Sequence, residues 1–188
     1  MAEITPAQAF LMTRRSRPLR TLKKPAPQRP VVENMLRMAA RVPDHGKLEP
    51  WRFVVLEEKA LRRVAERAKE FVARDDTLPS LAHSQFETSP FAVVVIESPK
   101  IEAKIPRIEQ TYSTGAVCLG LVNAALASGF GANWLSGALS HDADFTAEAF
   151  GTQMHERVAG IVHIGSCDEL PSDRPRPDIA AKTDWKTA

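Results

Sequence analysis

Residues 109–128 read EQTYSTGAVCLGLVNAALAS, and residues 129–137 continue as GFGANWLSG. No aspartate, glutamate, lysine or arginine occurs in residues 110–140. The first stretch is apolar and rich in alanine and glycine, which predicts a helix buried on almost every side, and Gly129 is placed to end it. Because polar residues interrupt the apolar run, we predict a helix inside a soluble protein rather than a membrane span.

Shorter elements surround this central helix. Apolar runs predict strands over residues 51–56, 91–96, 132–135 and 158–164, and the second of these is expected to be buried on both faces. An N-cap followed by proline, Thr5-Pro6, predicts a helix over residues 6–13, and Gly151 ends one predicted over residues 145–150. Helical spacing predicts helices over residues 32–39 and 61–72. The proline-rich residues 14–30 are predicted to form a loop, and the polar residues 74–90 a mobile flap. Strands this few and short favour an α+β sandwich over a doubly wound parallel sheet.

Length and composition restrict the class of protein. A chain of 188 residues suits one domain covering residues 1–188, and a net charge of only +2 gives no overall attraction to nucleic acid or membrane. The first residues lack the pattern of a signal peptide, and Cys118 and Cys167 match neither a disulfide framework nor a metal site. These features lead us to expect a cytoplasmic protein.

The positive charge is concentrated near the start of the chain. No acidic residue lies between Glu3 and Glu33, whereas basic residues are frequent there. The triplet Arg14-Arg15-Ser16 directly follows the first predicted helix, and two guanidinium groups with a hydroxyl can hold a phosphate. A solvated basic arm is the simpler interpretation, and a nucleic-acid-binding arm is a third.

Several familiar sites have no counterpart in the sequence. It contains no G-x-G-x-x-G after a strand, no G-x-x-x-x-G-K-[ST] phosphate loop and no G-x-S-x-G nucleophile elbow. Its histidines do not pair with one another or with cysteine at metal-ligand spacing, so no metal site is predicted.

Four motifs in order along the chain resemble those of the nitroreductase family. They are R-R-S at residues 14–16, A-R-V-P-D-H at residues 40–45, P-W-R-F at residues 50–53 and G-F-G-A-N-W-L-S-G at residues 129–137. The resemblance extends from about Leu11 to Gly165. It implies a nitroreductase-like α/β sandwich, with a mostly antiparallel central sheet flanked by helices, in an intertwined homodimer with FMN at the subunit interface.

The resemblance also implies roles for individual residues. The FMN site is expected to comprise Arg14, Arg15, Ser16, Trp134, Leu135 and Ser136, with Arg41 and His45 supplied by the partner subunit. The segment expected to meet the nicotinamide cofactor is Ala124, Ala125, Leu126, Ala127, Ser128 and Gly129. Arg174 and Arg176 lie where longer family members place basic ligands of the FMN phosphate.

The implied activity is electron transfer from NAD(P)H, through FMN, to a small nitroaromatic or quinone-like acceptor by ping-pong hydride transfer. Because the flavin performs this chemistry, no catalytic residue and no metal is expected in the protein. Two alternatives stay open at this stage. One is a flavin-binding protein for storage or sensing without redox turnover, and the other is a dehalogenase or a flavin-fragmenting enzyme on the same fold.

Overall fold

A computed structural model describes residues 3–186 and contains one antiparallel sheet. The four strands are β1 (Trp51–Leu56), β2 (Ala92–Glu97), β3 (Gly131–Leu135) and β4 (Arg157–Gly165), in the spatial order β1-β2-β4-β3. Every neighbouring pair is antiparallel. The predicted α+β class and antiparallel sheet are therefore confirmed, and the predicted strand positions are correct to within about one residue at each end.

Helices cover both faces of this sheet. They are α1 (Pro6–Thr13), α2 (Arg29–Ala39), α3 (Glu58–Arg74), α4 (Ser84–Thr88), α5 (Arg107–Ala127) and α6 (Ala143–Phe150). One hydrophobic cluster lies between the sheet and α2 and α5, and the other lies between the sheet and α3, α4 and α6. Strand β2 is buried along its whole length because its successive side chains enter the two clusters in turn.

The central helix α5 is buried on one side only. Its exposed side carries Ile108, Tyr112 and Leu119, and a side chain at Gly115 would meet nothing within 4 Å. The expectation of burial on nearly every face is therefore wrong for the single chain. No helix in the described residues is long and apolar enough to cross a membrane. The predicted end of the helix is confirmed, since Gly129 has a φ of +82°.

Two predicted loops contain helices. In residues 74–90 the short helix α4 inserts Phe86, which is only 1% exposed and packs near Phe145 and Phe150. The prediction of a structureless flap missed this anchor because one aromatic residue in a polar stretch gives no periodic signal. The loop predicted over residues 14–30 ends early, since α2 begins at Arg29 with Pro30 in its first turn, where proline is tolerated.

Candidate functional site

A pocket of about 590 Å³ lies where the turn after α1, the strand β3 and the tail (residues 168–186) meet. We call it the arginine pocket, because five of its lining residues are arginines. It is lined by Arg14, Arg15, Ser16, Arg17, Pro18, Asn133, Trp134, Pro171, Arg174 and Arg176. The predicted phosphate triplet, the predicted flavin neighbour Trp134 and both tail arginines thus line a single cavity.

A close backbone approach holds the turn after α1 against the sheet. The Arg17 N–H donates a hydrogen bond to the Ala132 carbonyl oxygen at 2.8 Å. A β-carbon on the adjacent Gly131 would lie 2.6 Å from Cys167 Cβ and 2.7 Å from Leu22 Cδ2. The second glycine of the G-F-G motif therefore leaves room for the chain that carries the arginines. The basic arm is fixed to the fold in this region rather than free in solvent.

Arg14, which lines the pocket, has a buried donor that no described residue satisfies. Its Nε is buried without a hydrogen-bond partner among the described residues, while its guanidinium donates to Ser16 Oγ at a long 3.4 Å. Burial, followed by the charges of Arg176 and Arg15, lowers the pKa of Arg14. Since a buried unpaired donor costs free energy, this arrangement favours an anion that accepts from Arg14.

The tail is tied to the triplet by Arg15. One guanidinium nitrogen of Arg15 donates to the Ser172 carbonyl oxygen at 2.5 Å and to Asp173 Oδ1 at 2.9 Å. Asp173 Oδ1 also accepts from the guanidinium of Arg176 at 2.6 Å. Hydrogen bonds from the Arg174 backbone N–H and from Arg176 lower the pKa of Asp173. A carboxylate thus lies among the arginines of the pocket.

Trp134 stands at the rim of the arginine pocket with 39% of its surface exposed. Its indole covers Gly160 of β4, where a side chain would collide with the ring. Leu135 is half-buried and Ser136 is exposed, and within the described residues neither lines the pocket wall. Of this predicted flavin-bordering segment, the structure therefore brings Trp134 to the arginines and leaves the other two just beyond.

Arg41 and His45 lie apart from the arginine pocket of their own chain. Arg41 follows α2 and is exposed, and His45 Nδ1 is 2.7 Å from Glu109 Oε2 at the start of α5. The Asp44 carboxylate accepts hydrogen bonds from the backbone N–H groups of residues 48 and 49 and so closes the loop that carries His45. In the described part of the chain, neither Arg41 nor His45 lines the pocket. Their contact with the site of a second subunit stays a prediction.

The segment predicted to meet the nicotinamide cofactor divides into two parts. Ala124 and Ala125 are 4% and 0% exposed, so the core encloses them and they cannot touch a ligand at the surface of the chain. Leu126 and Gly129 line a depression that adjoins the arginine pocket and shares Arg14 with it. Ala127 is exposed and Ser128 is half-buried. The accessible part of the predicted segment is therefore residues 126–129.

Sequence reasoning assigned no role to three residues of this region. Arg17 and Asn133 line the pocket, and Asp173 joins its arginines. Asn133 lies directly before Trp134, and Asp173 directly precedes Arg174, so adjacency to the predicted residues was the available signal. Their actual partners depend on tertiary contacts that no local pattern encodes.

The fold, an antiparallel sheet covered by helices with an arginine-lined pocket at one edge, defines an α+β protein whose accessible cavity suits an anionic ligand. The chain belongs to the nitroreductase family, since the model described as "Nitroreductase family" matches residues 11–166. This match confirms the resemblance expressed by the four ordered motifs.

Individual relatives agree with this assignment. An Escherichia coli (strain K12) protein with the provisional name NAD(P)H nitroreductase YdjA is 32% identical over 163 residues, which cover 85% of this chain and 87% of the relative. A nitroreductase-like family protein from Bacillus cereus has a similar structure, with a TM-score of 0.79, 26% identity and 98% of each chain covered. A protein from Desulfovibrio desulfuricans, provisionally called a nitroreductase and solved in complex with FMN, has a TM-score of 0.75 at 17% identity, covering 98% of this chain and 99% of that one.

Proposed function

We propose that this protein is an FMN-dependent oxidoreductase that transfers electrons from NAD(P)H to nitroaromatic or quinone-like acceptors. Membership of the nitroreductase family, a relative provisionally named as an NAD(P)H nitroreductase and a structural neighbour that binds FMN support the proposal. The observation that carries it is the convergence of five arginines on one pocket, where the buried Nε of Arg14 has no hydrogen-bond partner among the described residues. A phosphate monoester is the part of FMN that such a donor would bind.

The residues of the pocket fit the two ends of FMN. Arg14, Arg15 and Ser16 would hold the phosphate, and Arg174 and Arg176 offer further cations from the tail. The flavin ring would extend past Trp134 towards residues 135 and 136, where the surface becomes accessible. The adjoining depression at Leu126 and Gly129 leaves room for a nicotinamide cofactor.

Bound FMN would supply the redox chemistry, which is hydride uptake from NAD(P)H and, in a second half-reaction, delivery of two electrons to an acceptor. The protein would bind and orient the flavin and keep one ring face open to both substrates in turn, which is a ping-pong scheme. Arginines near the flavin favour negative charge there. We assign no protein acid, base or metal to the reaction.

The functional unit we propose is a homodimer. Helix α1, all of which the structure describes, buries no residue, although it contains Leu11 and Met12, which are 63% and 67% exposed. The exposed apolar side of α5 offers a second such surface. An obligate dimer would cover both surfaces, and Arg41 and His45 would then reach the FMN of the other subunit.

The cytoplasm is the compartment we propose. Cys118 and Cys167 are both free thiols, and Cys118 is buried in the core. Burial raises the pKa of the Cys118 thiol to about 12, so it stays protonated and unreactive. Free thiols suit a reducing compartment.

The decisive experiment is an anaerobic absorbance titration of protein purified with FMN. A flavin spectrum that NADPH bleaches and a nitroaromatic or quinone restores would support the proposal. A flavin that NADPH does not reduce would indicate storage or sensing instead. Arg14→Ala should weaken FMN binding by about 1.5–3 kcal/mol. Arg20→Ala, an exposed arginine of the same arm outside the pocket, should not.

A further inference from the structure

A single carboxylate oxygen connects three residues at the wall of the arginine pocket. Asp173 Oδ1 accepts from the Arg15 guanidinium at 2.9 Å, from the Arg176 guanidinium at 2.6 Å and from the Arg174 backbone N–H at 2.8 Å. Arg15 belongs to the turn after α1, whereas the other two belong to the tail. Asp173 therefore bridges the two walls of the pocket.

The tail has few other attachments to the fold. Residues 172–180 are exposed, and Pro171 before them is half-buried. Within the described residues, the hydrogen bonds that join residues 168–186 to the turn after α1 are those from Arg15 to the Ser172 carbonyl oxygen and to Asp173. The position of Arg174 and Arg176 at the pocket thus depends on Arg15.

We propose that Asp173 is a positioning residue for the cofactor phosphate, which fastens the tail to Arg15 so that Arg174 and Arg176 form the second wall of the arginine pocket. This inference rests on the proposed function, since it assumes that the pocket holds the FMN phosphate. Asp173 would thus promote the binding of an anion indirectly, because it holds Arg174 and Arg176 in place.

Electrostatics and chain entropy both favour this role. Several arginines that face one cavity repel one another, and a carboxylate between Arg15 and Arg176 offsets that repulsion before the ligand arrives. Pro175 and Pro177 alternate with the tail arginines and restrict the backbone, so an anchored tail loses little freedom on binding. A ligand that meets a preorganised wall binds more tightly than one that must order it.

Asp173 also leaves donors available to the ligand. It engages one terminal nitrogen of Arg15 and one of Arg176, whereas a guanidinium has five N–H donors. The buried Nε of Arg14 has no partner among residues 3–186. The phosphate would therefore bind beside Asp173 rather than replace it.

The test compares FMN with riboflavin, which has the same ring and no phosphate. Each flavin is titrated into the flavin-free full-length protein, and binding is followed by flavin fluorescence. Asp173→Ala should weaken FMN binding about tenfold and leave riboflavin binding unchanged, because only the phosphate uses the tail wall. Asp178→Ala is the matched control, since Asp178 also accepts backbone N–H groups in the tail but bonds to no arginine among the described residues.

Asp173→Asn, which keeps an accepting oxygen at the same place but loses the charge, should recover only part of the FMN affinity. Unchanged or tighter FMN binding by Asp173→Ala would overturn the proposal, and tighter binding would identify Asp173 as a competitor of the phosphate. Equal weakening of FMN and riboflavin binding by Asp173→Ala would also overturn the proposal. So would a loss of FMN affinity in Asp178→Ala as large as that in Asp173→Ala. If the wild-type protein bound neither flavin, the proposed function itself would fail. If the wild-type protein binds FMN and the variants do not behave as expected, only the proposed role of Asp173 fails.

Discussion

The indole of Trp134 occupies the space that any side chain on Gly160 would fill. A β-carbon on Gly160 would lie 2.5 Å from Trp134 Cδ1 and 2.9 Å from Cε2. Trp134 is paired with Val162 in the register of β3 and β4, so its ring lies diagonally across the neighbouring strand. The position of the tryptophan at the arginine pocket therefore depends on a glycine 26 residues further along the chain.

The first prediction is that Gly160→Ala destabilises the protein by about 1–3 kcal/mol, the usual cost of overpacking, and displaces Trp134 from the pocket rim. Denaturant unfolding measures the loss of stability, and tryptophan fluorescence reports the displacement. In a Trp134→Leu background the same substitution should cost much less, because the colliding ring is gone. Equal costs in both backgrounds would show that the two residues are not coupled.

Local patterns were sufficient for most of the fold. Thr5 and Pro6 predicted the start of α1, and the structure shows Thr5 accepting the Gln8 backbone N–H there. The apolar run Phe91–Ile96 predicted a strand buried on both faces, which β2 confirms. These features are encoded within a few consecutive residues, and the sequence therefore shows them directly.

Long-range pairs were beyond the reach of those patterns. Arg15 and Asp173 are separated by 158 residues, and nothing in either neighbourhood specifies the other. Phe86 gave no periodic signal because it is a single anchor in α4. The resemblance to the nitroreductase family placed residues 14–16, Trp134 and the two tail arginines in one site, and the structure brings these residues together. It does not test their contacts with FMN, so those remain predictions.

The second prediction concerns stability in acid. Burial lowers the pKa of His163 from its ordinary 6.5 to about 4, and a hydrogen bond from Arg52 lowers the pKa of Glu156 from 4.5 to about 2. In each case the unfolded chain binds a proton more readily than the folded chain does, so acid favours unfolding. Stability should fall between pH 6.5 and 4 through His163, and between pH 4.5 and 2 through Glu156. The effect of the buried His163 amounts to about 3 kcal/mol. The effect of Glu156 should be smaller, because solvent screens its ion pair with Arg52.

Urea unfolding across these pH ranges measures both effects. His163→Leu should flatten the slope between pH 6.5 and 4, and Glu156→Gln should flatten it below pH 4.5. His141→Gln, which removes an exposed histidine, is measured alongside as the control for loss of a histidine outside the core. An unaltered slope in His163→Leu would mean that His163 does not titrate as its burial implies.

The third prediction tests the dimer surface on α5. Gly115 lies on the same helical face as Tyr112 and Leu119, and a side chain there would touch nothing in its own chain. Gly115→Glu should therefore disrupt the dimer by placing a charge in an apolar interface. In sedimentation experiments the variant should dissociate at concentrations where the wild type stays dimeric. A dimer as stable as the wild type would show that the interface lies elsewhere.

The final prediction concerns the division of each FMN site between two subunits. Arg14 lines the arginine pocket, whereas Arg41 of the same chain does not. If Arg41 serves the pocket of the partner, Arg14→Ala and Arg41→Ala should each lose flavin binding and NADPH-dependent reduction as homodimers. A mixed dimer of the two variants would contain one site with both arginines intact and one site with neither.

Random exchange of equal amounts should convert half of the dimers into mixed dimers, with one intact site in each. About a quarter of the wild-type activity should therefore return. Mass spectrometry of differently tagged subunits verifies the exchange, and a mixture kept under conditions that prevent exchange is the control. Activity that stays absent after verified exchange would mean that Arg14 and Arg41 act within the same chain. An Arg41→Ala homodimer that keeps its activity would show that Arg41 has no part in the site. Recovery would require both arginines at one flavin, because no site in either homodimer has the two together.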